Sequence, residues 1–275
     1  MITLAESTNI SASSSTRPIY IFLLPATLAL IVTASCIGQG AWSVFHFIVY
    51  TSLSFLVFVL FVLKVQVCGV RVDLKFKFCL VGGLISFLLA LFFNELLLGV
   101  AVALDKHTRS AVHQSDPRLP VSLSNVWVET AALVICAFAE EVWKLKTVDV
   151  LLRDSSLLLL SKESVAVLGA CAGFGFQIFE NLVYFRVSGD DWRVGVGRSV
   201  SATHVMLASL GSVIAWRKTQ RQFWLAVLVC GLFHAAHNVA VTVVEIRFQA
   251  LLVGRLLVAG NLCLLGICLY LCLRL

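Results

Sequence analysis

Apolar runs of about 20 residues, the length a helix needs to cross a bilayer, recur from one end of this chain to the other. Hydrocarbon offers no water to backbone amides and carbonyls. A spanning segment must therefore bond itself as a helix or close into a barrel. Barrel strands are about 10 residues long and alternate in polarity, whereas these runs are longer and unbroken. About eight are read, over residues 19–37, 41–63, 78–104, 126–152, 165–185, 199–216, 223–244 and 250–273. The expected fold is all-α, a polytopic transmembrane helical bundle of about eight transmembrane helices. Residues 1–18 are expected to be a disordered polar tail, and 19–275 a single transmembrane domain.

Composition agrees. Hydrophobic residues make up 60% and charged residues 13%, about half the charged share of an ordinary soluble domain. The net charge of +6 gives no nucleic-acid surface, because the basic residues are spread over the loops. There they set orientation, and the larger share falls on inner loops when both termini are placed in the cytoplasm. The tail, rich in Ser and Thr, lacks the basic start and immediate apolar core of a cleaved signal peptide. Its Asn9-Ile10-Ser11 sequon is usable only on the outer side. Pro117 and Pro120 mark the longest outer loop, over 105–124. The nine cysteines lie almost all inside apolar runs with no CxxC pair, which reads as packing rather than disulfides or metal.

Ionisable groups interrupt the later runs, and such groups in hydrocarbon usually face a protein interior or a water cavity. Glu140, Glu141 and Lys144 stand in AEEVWK. Neighbouring helical residues diverge by about 100°, so both carboxylates cannot point at one spot. Either one can pair with Lys144. The alternative puts this cluster at a solvated rim. Glu180 and Asn181 follow a small-residue stripe (Gly169, Ala170, Ala172, Gly173, Gly175) that lets helices approach closely. Phe176 lies one turn before Glu180, on the same face. His204 alone suits an interhelical hydrogen bond. His234, His237 and Asn238 fall on one broad helix face, where imidazole moves protons and Asn donates to a developing oxyanion. Asn94 and Glu95 interrupt the 78–104 run; they are expected to pair with Lys144 or a histidine, or to back the site.

The ordered set EExxK (Glu140, Glu141, Lys144), GFGFxxxEN (Gly173 to Glu180 and Asn181, then Tyr184), an isolated His204, and HxxxN (His234 to Asn238) resembles the PrsW family of intramembrane proteases. That family is related to the CAAX-processing and bacteriocin-processing membrane endopeptidases. The resemblance runs from about Glu140 to Asn238. It implies a membrane protease with a protease-like core at about 126–245, in which the paired Glu and the histidines are essential. His237 is an extra His within the last motif. Other protease signatures, GxSG, GxGD and HExxH, are missing from the sequence.

The expected reaction is hydrolysis of a peptide bond in a membrane-protein substrate that carries a transmembrane segment. Glu140 or Glu141 deprotonates a water. His204 or His234 protonates the leaving amine or steadies the oxyanion, Asn238 assists, and Glu180 holds a His tautomer or shares in water activation. Lys144, Asn181, Phe176 and His237 support. A zinc-assisted version would use Glu180, His204 and His234 as ligands. Two alternatives stand beside it: a proton- or ion-coupled transport path, and an inactive scaffold or immunity-type protein of the same fold.

Overall fold

The structure, a computed structural model, describes residue 70 and residues 72–108, 126–154, 160–188, 202–216, 219–247 and 251–274. The polar tail, the first two apolar runs and most of the proline-bearing loop lie outside these residues. Helices carry all the regular structure among the described residues, with no strand.

Helix α1 (Val72–Lys77) passes through a π-helical turn, Phe78–Gly82, into α2 (Gly83–Thr108). Next come α3 (Val126–Asp154), α4 (Lys162–Ser188) and the short α5 (Thr203–Ala215). Thr219 then starts α6 (Gln220–Val239) with a reciprocal capping box: its hydroxyl accepts the Gln222 amide, and Gln222 reaches back. A second π-helical segment (Ala240–Arg247) and α7 (Leu251–Arg274) complete the described chain.

Among the described residues, four stretches are long and apolar enough to cross a membrane: Asp73–Asp105, Lys162–Tyr184, Gln220–Val243 and Leu252–Arg274. Two other expected spans are helices that do not qualify. α3 fails because Glu140, Glu141, Lys144 and Lys146 interrupt its apolar run, and α5 because it has only 13 residues.

Burial orders the bundle. The α4 span is 83% buried, while the spans of α2 and α7 are 17% buried. α4 is thus the central helix, and the other two turn leucine and phenylalanine outward, as lipid-facing helices do. The small-residue stripe of α4 serves two neighbours. A methyl added at Gly169 or Gly173 would strike α5, at Ala208 and Ser212 or at the His204 carbonyl. One added at Gly175 would strike the Cys79 carbonyl in the π turn. At the α2 crossing Gly83 meets Gly175 backbone to backbone. With no Cβ on α4 at these positions, its backbone packs directly on both partners. Every described cysteine is a free thiol.

Candidate active site

α3 carries its charged residues inward. Glu141 and Lys144 are fully buried and Glu140 is 6% exposed, which excludes the solvated-rim alternative for these three. Charges taken out of water cost several kcal/mol each unless partners compensate, so their partners define the site.

Glu141 Oε1 accepts from two donors. Lys144 Nζ pairs with it from one turn along α3, and His234 Nδ1 on α6 lies 2.8 Å away. With Nδ1–H committed to Glu141, His234 keeps a lone pair on Nε2, which lies 3.7 Å from Glu140 Oε2. The two carboxylates therefore bracket one imidazole, each on its own nitrogen. Glu140 Oε1 accepts from Asn94 Nδ2 of α2 at 2.8 Å. Glu140 Oε2 and Glu141 Oε2 are buried with no hydrogen-bond partner among the described residues.

His204 enters from the first turn of α5. Its Nδ1 lies 2.8 Å from Lys144 Nζ and its Nε2 lies 2.7 Å from Glu180 Oε2. An ammonium can only donate, so Nδ1 accepts and the ring hydrogen sits on Nε2, directed at Glu180. Phe176 frames the pair. Its ring is 4.9 Å from the His204 ring, and Lys144 Nζ lies 4.6 Å above its centroid, a cation–π contact. The His204 and His234 rings meet edge to face at 4.9 Å.

The remaining sequence candidates lie farther out. Asn181 is fully buried, next to Glu180 on α4, and Tyr184 is exposed. His237 Nδ1 is 3.4 Å from Thr203 Oγ1, which ties α6 to the start of α5. Asn238 is half-buried, one turn beyond His234. Asn94, expected to pair with Lys144 or a histidine or to back the site, instead donates to Glu140. The sequence signal was the polar residue itself within LFFNELLLGV.

Glu140, His204 and His234 each offer a ligand atom within 4.8 Å of the others. Two imidazoles and one carboxylate form a donor set suited to a divalent ion with an open coordination position. Glu140 Oε2 has no hydrogen-bond partner among the described residues, and His234 is oriented through Nδ1 by a carboxylate, as metal-binding histidines usually are. The residues fit an ion on these grounds; His204 offers its nitrogen only by giving up one of its two bonds. The set expected from sequence, Glu180, His204 and His234, differs in one member, since Glu180 is engaged on His204 Nε2.

Neither a curated protein nor a solved structure matches the chain. Residues 71–265 match the family described as PrsW family intramembrane metalloprotease. That match takes in every helix of the site, and the chain therefore belongs to the PrsW family and is a membrane protease.

Proposed function

We propose that the protein cleaves peptide bonds in the transmembrane region of other membrane proteins, with Glu140 at the reacting centre. One observation carries the reading: a buried carboxylate oxygen, Glu140 Oε2, has no hydrogen-bond partner among the described residues and lies within reach of two histidines. A buried acceptor left without a donor is costly. A water there would satisfy it and would stand beside a base.

Glu140 takes the proton as the water attacks the substrate carbonyl. Glu141 and Lys144 hold His234 and His204 in fixed tautomers. Glu140 then passes that proton to the leaving amine, while His204, oriented by Glu180, steadies the oxyanion with its Nε2 hydrogen. Asn238, one turn from His234, contributes a further donor, and Asn181, Phe176 and His237 support. The apolar surroundings strengthen each of these contacts.

A metal-assisted version is favoured by the Glu140–His204–His234 grouping and by the family's description. A bound divalent ion such as zinc would polarise the carbonyl and make water more acidic. Glu140, His204 and His234 would hold it. Proton acceptance would then fall to Glu141 Oε2, the other carboxylate oxygen buried without a hydrogen-bond partner among the described residues.

The reading extends to the whole chain. Residues 19–275 form one domain of about eight transmembrane helices with its protease core at about 126–245, and both termini lie in the cytoplasm. The test uses purified protein and a membrane-spanning peptide. Glu140→Gln, Glu141→Gln and His204→Ala are each expected to lower kcat by about 100-fold or more, and full activity in all three rejects the proposal. Loss of cleavage with a chelator and its return with zinc selects the metal-assisted version, and indifference to chelators selects the other.

A further inference from the structure

The inner stripe of α2 is apolar, with Phe87, Ala90 and Ala101 all buried. Its outer face, with Leu88, Phe92 and Leu96, is exposed as lipid-facing helices are. Asn94 falls on the inner stripe, at helical spacing from Phe87, Ala90 and Ala101. An amide placed in an apolar seam costs free energy unless it is bonded. Its Nδ2 bond to Glu140 Oε1 is 2.8 Å and joins residues 46 positions apart. The seam fixes the amide's height, because the neighbouring Phe93 packs on Trp143 of α3 with ring centroids 5.0 Å apart.

A carboxylate turns about its last bond, and a donor on one oxygen stops that rotation. Here the donor holds Oε1 on the α2 side, which leaves Oε2 facing His234 Nε2 at 3.7 Å. We propose that Asn94 is a positioning residue for Glu140, presenting Oε2 to the histidines. It lies outside the EExxK, GFGFxxxEN, His and HxxxN motifs. Asn94 Oδ1 is also buried without a partner among the described residues, so the amide has more bonding capacity than joining two helices requires. The inference rests on Glu140 acting as base or ligand in the proposed reaction.

The test pairs Asn94→Leu, similar in size but without the donor, with Asn94→Gln, which keeps the amide on a longer arm. The infrared difference between wild type and Glu140→Gln isolates the Glu140 carboxyl band, a readout that needs neither turnover nor metal. Asn94→Leu is expected to shift that band and to lower kcat about 10- to 100-fold, the scale of orienting residues, with KM unchanged. Asn94→Gln restores part of both. An unmoved band in Asn94→Leu overturns the inference, as does a loss carried by KM alone. Should Asn94→Leu not fold, Asn94→Ala, which also lacks the donor, takes its place: a shifted band supports the inference and an unmoved band overturns it. A wild type that cleaves nothing sinks the protease mechanism, while the band still decides the role of Asn94.

Discussion

Lys144 places its ammonium where three groups can use it: the Glu141 carboxylate, His204 Nδ1 and the Phe176 ring. Removing it strands a buried carboxylate and frees the tautomer of His204. Lys144→Met is expected to cost about 3–5 kcal/mol, the usual result of breaking one side of a buried pair. The double variant Glu141→Gln, Lys144→Met should recover much of that loss. Thermal melts in detergent read both, and equal losses in single and double variants would refute the pairing. At this scale the sequence was informative about which residues and poor about whom they meet. Glu140, Glu141, Lys144, His204 and His234 stood out because ionisable groups are rare in apolar runs. The expected divergence of Glu140 from Glu141 appears in their separate partners, Asn94 and Lys144. Their meeting at His234 was hidden, because an imidazole has nitrogens on two edges and only a known helix–helix register aligns them. The partner of Asn94 was hidden for the same reason, because it lies on another helix.

At the scale of helices, the runs of α2 to α7 were readable from apolar length, because lipid permits little else. Two features were not. The π turn at Phe78–Gly82 leaves no mark in composition; it brings the Cys79 carbonyl against Gly175, a closeness only glycine permits. The glycines of α4 read as one stripe, yet they divide between α5 and the π turn. Gly173→Ala and Gly175→Ala are each expected to destabilise by about 1–3 kcal/mol through overpacking. Gly260→Ala, with no atom of a described residue within 4 Å of its added methyl, is the control expected not to lower the melting temperature, because Ala suits a helix interior better than Gly. Equal melting temperatures for all three would contradict the crossings described.

For the whole molecule, charge bias and span parity set the orientation, and both depend on the first two expected spans, which lie outside the described residues. A cytoplasmic N-terminus predicts that the Asn9 sequon stays unmodified when the protein is made in glycosylating membranes. A gel shift removed by glycosidase and by Asn9→Gln would invert the orientation.

The 13 residues of α5 make a rod of about 20 Å, against a hydrocarbon slab about 30 Å thick. Its last turn is moored where Trp216 Nε1 bonds the Leu160 carbonyl. A rod of that length is roughly 10 Å too short to carry its leading imidazole across the whole slab. The truncated helix instead sets His204 among the charged groups of longer neighbours, Glu180 on one nitrogen and Lys144 on the other.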